Sequence, residues 1–300
     1  MPSFTIFRPG NSLGTVWGTA GVAVTVLLGL GLIYRGLTLD VGMQQFAPLV
    51  AGGSFVCLAG LFAYWTWGCA SLRYLVDRNA LDIRWGGIHQ IVPLANIERL
   101  VPGEDTDTPQ IEGINWAGHH VGRAQVDQIG DVLFYSGHRT PGDVLYVQTP
   151  TEIYGISVPD PVFFAQTVQS NQSRGPLFEQ RQAVHRWGPA ALSFWLDRVA
   201  ITLALMMIVA FGAVLGYVLD MYPGLSDSVP LRFPSLGGVV RVTDKSELLD
   251  IPRSAFGFLA LDMVLAVLLH SWERMVGYVL LLAGIGVQVM LLIAAIVAVA

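Results

Sequence analysis

The sequence predicts an α+β membrane protein: about five transmembrane helices with an inserted small β-barrel of about seven antiparallel strands, capped by a C-terminal helix. Three observations predict it. Apolar residues make up 53% of the 300-residue chain and charged residues only 13%. An average soluble domain carries about 25% charged residues, so much of this chain does not face water. Five apolar stretches match the roughly 20 helical residues needed to cross a bilayer core about 30 Å thick. Between the second and third of them lies a long tract that alternates polar and apolar residues.

The five stretches are Gly14–Tyr34, Phe46–Trp67, Val199–Leu219, Ser254–Ser271 and Val276–Val299. The fourth is shorter and carries Asp262. The first is too long, and lacks the basic start, for a cleaved signal peptide, so it is expected to stay as an anchor. Five spans put the termini on opposite sides. Of the 17 Lys and Arg, 12 then share a side with residues 68–198, and 5 lie on the other. The positive-inside rule places the polar tract in the cytoplasm, in a multi-pass protein of the plasma (inner) membrane.

The tract opens with "YLVDRNALDIRWGGIHQIVPLANIERLVPG". Leu81, Ile83 and Trp85 alternate with Asp82 and Arg84, the pattern of a half-buried strand. Leu72–Asp77 pairs with it through the turn at Arg78-Asn79, and His89–Val92 returns after Gly86-Gly87. Asn96–Val101, residues 119–126, Asp131–Tyr135, Val144–Thr149 and Glu152–Val158 are further strand candidates, bounded by Gly, Pro or Thr. Asp160 is a good N-cap and Pro161 a good first helical residue. The helix they start runs to about Ser170 and covers one end of the sheet with Val162, Phe163 and Val168. A small barrel with a plugged open edge follows. The domains are therefore 1–69, a two-helix transmembrane hairpin; 70–171, the cytoplasmic module; 172–198, a polar linker and interfacial helix with Trp187 and Trp195 at headgroup level; and 199–300, three transmembrane helices with loop 220–253.

The order of these pieces resembles bacterial pleckstrin-homology-like (PH-like) domains over about residues 70–171. Their pattern is an aromatic-rich strand, a turn, "L-x-I-x-x-G", then "I-P-L-x-x-I". Here those are Leu81, Ile83, Gly86, Val92-Pro93-Leu94 and Ile97. The later "GDVLFYSG", "VLYVQTPTEIYGISV" and "PDPVFF" look like the end of the same domain. A second resemblance, over residues 220–300, is to a bacterial membrane family of unknown function, matched at Pro230, Phe233, Gly238, Lys245 and Ser246. Arg232 stands where that family has histidine. Neither resemblance implies an enzyme. Lipid-binding eukaryotic PH members are similar to one another in a basic patch on the first hairpin. Here Arg73, Arg78 and Arg84 are offset by Asp77 and Asp82, so the arginines hold the module against anionic lipid or set topology.

Constellations that would carry chemistry are thin. His119-His120 point to opposite faces of a strand and make a poor metal site. Glu104, Asp105 and Asp107 lack the ligand spacing of a calcium loop. Cys57 and Cys69 lie about 18 Å apart on a helix and cannot bridge. Glycines at 29, 31, 284 and 286 lie inside apolar helices and read as packing positions. Gly14-x-x-x-Gly18 and Gly212-x-x-x-Gly216 allow close helix approach, within the chain or in a homo-oligomer. No catalytic residue, cofactor or metal is expected. Net charge is −5 with one lysine, Lys245, which disfavours nucleic acid.

The expectation is a non-enzymatic membrane protein whose module contacts membrane lipid and binds a protein partner through Trp85, Ile88, Ile91, Phe163 and Phe164. Two alternatives stand beside it. One is a small transporter using the intramembrane carboxylate of Asp262, with Gln288 on the next span as its polar neighbour; a mid-span carboxylate costs about 2.5–3.5 kcal/mol on insertion scales. The other is a sensor reading the far side through loop 220–253.

Overall fold

The computed structural model describes residues 4–10, 13–103, 110–116, 118–233 and 239–299. Glu104, Asp105, Asp107 and Gly238 lie outside them. The elements are β1 (Thr5–Phe7), α1 (Leu13–Thr38), α2 (Met43–Ser71), β2 (Arg73–Val76), β3 (Ala80–Trp85), β4 (Ile88–Pro93), β5 (Arg99–Pro102), β6 (Glu112–Trp116), β7 (His119–Val126), β8 (Gly130–Ser136), β9 (Leu145–Gln148), β10 (Ile153–Ile156), α3 (Pro161–Ser173), β11 (Ala183–Arg186), α4 (Arg198–Met221), β12 (Ser228–Phe233), β13 (Val239–Asp244), α5 (Asp250–His270) and α6 (Arg274–Val299). Among the described residues, five helices are long and apolar enough to cross a membrane. The chain forms two units, one of residues 1–25 and 58–190, the other of 26–57 and 191–300.

The first unit holds the module. Its strands form two sheets, ordered β1-β2-β3-β4-β11 and β5-β9-β10-β8-β7-β6. They do not close into the expected barrel, and the pairing of β8 with β10 is parallel. The cause is local. A short 3-10 turn at Leu94–Asn96 redirects the chain after β4, so β5 pairs with β9 and not with β4. The edge that β4 would leave open is taken by β11, a strand from the segment that reads as polar linker. At the opposite edge β1 pairs with β2. Unpaired strand edges are thus covered by strands from outside the alternating tract, a solution other than closure.

Alternation sets the core. Tyr74, Val76, Leu81 and Ile83 are fully buried, with Trp85 at 3% exposure, while Asp82 and Arg84 point outward and pair at 2.6 Å. Two tyrosines tie the sheets together. The Tyr74 hydroxyl donates to the Tyr135 carbonyl and accepts from the Ser157 N–H; the Gln90 amide donates to the Tyr135 hydroxyl. Burial pushes the Tyr74 phenol up to about 12, so it acts as a neutral bridge. Helix α3 starts as its sequence dictates: the Asp160 carboxylate accepts from the Phe163 N–H at 2.8 Å, Pro161 opens the helix, and Phe164 and Val168 enter the core. The helix end is clasped to the β2–β3 turn by Arg78, which donates to the carbonyls of Arg174 and Gly175.

In the second unit, the later half of α1 meets the early half of α2 at glycine. A Cβ on Gly52 would lie 3.0 Å from the Gly29 carbonyl oxygen, so the two backbones touch there. Gly31 has open space around it. Helices α4, α5 and α6 pack around Ala200, Ala204, Met207, Ala266 and Leu281. Strands β12 and β13 form an antiparallel hairpin between α4 and α5.

Candidate functional site

The five residues expected to bind a partner fall in different environments. Trp85 and Phe164 lie in the core, at 3% and 0% exposure. Ile88 and Ile91 are half-buried on β4, where β11 pairs alongside with Arg186 opposite Ile88 and Ala183 opposite Ile91. Phe163 is half exposed. Its ring packs on Phe7 of β1 with centroids 5.6 Å apart, and Phe7 packs in turn on Phe164 at 5.1 Å. Beside it Val162 is exposed, as are Phe4 and Ile6 around the edge strand β1. The start of α3 and Phe7 of β1 therefore meet in one apolar contact, while Phe4 and Ile6, which alternate with Phe7, lie on the other face of the strand. The sequence reading has Val162, Phe163 and Val168 covering the sheet; the structure buries Phe164 and Val168 and leaves Val162 and Phe163 exposed, and nothing local marks Thr5–Phe7 as their neighbour.

The adjacent histidines do face opposite ways. His119 is fully buried, and its Nε2 accepts the Trp85 indole N–H at 3.0 Å. Its proton therefore sits on Nδ1, which is buried without a partner. Burial, with His120 beside it, pushes the His119 imidazole down to about 4. On the other face His120 stacks on His138, centroids 4.0 Å apart. His120 Nδ1 lies 2.7 Å from the Asn115 side-chain oxygen, and His138 Nδ1 lies 2.7 Å from the Ser136 hydroxyl. Burial pushes His138 to about 4 as well, with His120 acting in the same direction. Burial lowers His120 as well, and its Nε2 lies 3.1 Å from the His138 carbonyl oxygen, so the two rings pack and bridge. Among the described residues no group of three or more His, Cys, Asp or Glu is placed to hold a metal ion.

The helical unit gathers polar side chains at three levels of the α5–α6 seam. At one end Asp197 caps α4, accepting from the Val199 and Ala200 N–H groups. Its other oxygen accepts the Tyr278 hydroxyl and lies 3.3 Å from His270 Nε2. His270 is 1% exposed. Gly277 leaves room for it: a Cβ there would lie 2.7 Å from His270 Nδ1. The Tyr278 hydroxyl first, then the backbone donors, hold the Asp197 carboxyl below the usual range. At the middle level Asp262 faces Gly284, where a Cβ would come within 2.9 Å of its Oδ2. At the third, fully buried Gln288 donates to the Ala255 carbonyl at 2.8 Å. Gln288 and Asp262 thus occupy separate levels of the seam. Sequence reasoning found Asp262 and Gln288 by their cost in an apolar run. It missed Asp197, His270 and Tyr278, whose signal is their position at span ends on three separate helices.

Residues 72–172 match the family model of a bacterial PH domain. The match spans the module from β2 to α3 and leaves the apolar helices unassigned. Searches of curated proteins and of solved structures returned no match.

Proposed function

We propose that this chain is a non-enzymatic, multi-pass protein of the plasma membrane, whose PH-type module faces the cytoplasm and docks a protein partner. The observation that carries the reading is the apolar border at the start of α3, where exposed Val162 and Phe163 lie beside Phe7 of the edge strand β1. Two exposed large hydrophobics thus adjoin an end strand of the first sheet. An edge strand offers backbone pairing to an extended peptide, and flanking pockets or rings give it specificity. In this reading an extended segment of the partner adds along β1 and lays an apolar side chain on Phe163. Trp85 and Phe164 act indirectly, by fixing the module behind the border. The cytoplasmic assignment is supported by the distribution of arginine between the two sides.

The test is affinity capture of the full chain in mild detergent, comparing the wild type with Val162→Asp/Phe163→Asp. The proposal expects specific proteins to be retrieved by the wild type and lost with the double variant. Identical sets from both would refute docking at this border.

A second reading, transport, draws on one observation: Asp262 has no hydrogen bond or ion pair among the described residues, and it shares the α5–α6 seam with His270 and Gln288. Ionisable groups within spans often serve ion or proton movement. In that case Asp262→Asn abolishes a proton-linked flux in proteoliposomes, while a docking protein with the same change keeps its partners.

A further inference from the structure

Strand β11 is held by few ties. It joins the first sheet through Ala183 to Arg186, paired with Ile91 to Ile88 of β4. Val184, His185 and Arg186 are exposed, so little apolar burial holds the strand down. Its root is anchored. The Leu177 and Phe178 N–H groups donate to the Asn79 side-chain oxygen, and the Gln182 amide donates to the Tyr154 hydroxyl. Its far end is fastened at Trp187. The Trp187 backbone N–H donates to the Gly87 carbonyl at 2.9 Å, and the ring meets Trp67 edge to face at 5.5 Å. The indole N–H donates to His89 Nε2 at 3.3 Å. Residues 183–187 are therefore the part that can lift, between a fixed root and the indole bond.

That bond fixes the state of His89. A ring that accepts on Nε2 carries its proton on Nδ1 and is neutral. A second proton would set an N–H against the indole N–H and turn the tie into a repulsion. The charges around the ring do not favour that proton. Arg84 lies opposite His89 on β3, Arg73 lies opposite Arg84 on β2, and His185 lies opposite His89 on β11. Like charges directly opposite one another destabilise a strand pair. The carboxylate facing His89 among the described residues is Asp82, already bonded to Arg84 at 2.6 Å. Burial first, then Arg84, Arg73 and His185, hold His89 below the ordinary histidine range, with Asp82 pulling the other way. Lifting β11 takes away the indole, His185 and part of the burial together, so the lifted state takes up the proton more readily.

We propose that β11 is an acid-released strap on the β4 edge, latched by the bond from the Trp187 indole to His89. The strap is fully held above about 6.5, the value of a free histidine. It loosens as pH falls from there through the lower value of the strapped ring, because the lifted state binds the proton first. His89 sits beside an end strand, where local opening costs less than opening the core, so release does not require the module to unfold. In the released state β4 is the end strand of its sheet, and residues 183–187 join the free chain between α3 and α4. The device belongs to the module and does not depend on whether Phe163 docks a protein.

The full chain in nanodiscs is followed by hydrogen exchange at about pH 7.5 and about pH 5.5, corrected for intrinsic rates and read on peptides covering residues 183–187 and 88–93. The response counted is the part in excess of peptides covering β7, which report loosening through His119. In the wild type the opening of the strap rises in acid by about three- to tenfold, tenfold being the limit for one imidazole with a free value of about 6.5. His89→Gln keeps an acceptor for the indole and cannot take the proton, so its strap is as protected in acid as at neutral pH. Trp187→Phe keeps a ring against Trp67 and removes the bond, so its strap exchanges at neutral pH as fast as the wild type does in acid. His185→Gln keeps the wild-type response. A wild-type strap indifferent to pH, or a His89→Gln chain that still responds, would overturn the proposal. So would a Trp187→Phe chain still protected at neutral pH, or a response abolished by His185→Gln.

Discussion

Acid should loosen the module through His119, by an amount that can be worked out. The buried ring accepts the Trp85 N–H on Nε2 and carries its own proton on Nδ1. A second proton would put an N–H against an N–H in a fully buried site. Burial accordingly holds the group at about 4, against about 6.5 in an unfolded chain. As pH falls, the unfolded chain takes up the proton first, so stability is full above about 6.5, declines between 6.5 and 4, and is flat below. The whole step is worth up to about 3 kcal/mol at 1.36 kcal/mol per pKa unit. Near pH 5 the slope is about 1.2 kcal/mol per pH unit for one such group. The assay is hydrogen exchange of the full chain in nanodiscs, read on peptides covering β3 and β7 and corrected for intrinsic rates. The comparison is His119→Phe. That variant is weaker at neutral pH by about 1–3 kcal/mol, because the Trp85 N–H loses its acceptor, but its slope is shallower by the amount of one proton. His138 and His120, also lowered by burial, supply the slope that is left. Equal slopes in wild type and variant would refute the reasoning.

Three other outcomes are expected. Phe164→Ala, which empties a fully buried position, costs the module about 3–5 kcal/mol, whereas Phe163→Ala costs under about 1 kcal/mol by the same exchange measurement. Asp197→Ala removes the cap of α4 and the acceptor of Tyr278 together; the thermal midpoint of the helical unit in detergent falls, and Asp197→Asn recovers part of it by keeping the cap. Because Asp197 is held below the usual carboxylate range, its contribution is present above that range and is lost on acidification through the lowered value. Gly284→Val pushes a branched side chain against Asp262 and Met207 and lowers the same midpoint, while Gly286→Val, at a position with open space, leaves it within a degree or two.

What the sequence makes legible follows from how local each signal is. Five apolar runs and a pattern of Leu81, Ile83 and Trp85 need only neighbouring residues, and the five helices and the early hairpin stand as read. The Asp160-Pro161 start of α3 is equally local. The two edge strands are not. Thr5–Phe7 and Ala183–Arg186 are three and four residues long, too short for alternation to show, and their role depends on β2 and β4 being there to receive them. The barrel was expected because a sheet edge needs covering; the chain covers it with distant segments instead. The same limit applies to the polar clusters. His119 finds Trp85 across 34 positions, and Tyr278 finds Asp197 across 81. Asp262 and Gln288 stood out because an apolar run makes any polar residue conspicuous, yet the run does not say what each one faces.

Strand β11 makes the module its own competitor. Four residue pairs, Ala183 to Arg186 against Ile91 to Ile88, zip the returning chain onto β4. An outside peptide seeking that edge meets an occupant already tethered at high effective concentration, so it must outbid an intramolecular zipper and not an empty slot. β1 holds the β2 edge at the other end of the sheet in the same way, so an outside strand can add only beyond these two tethered end strands.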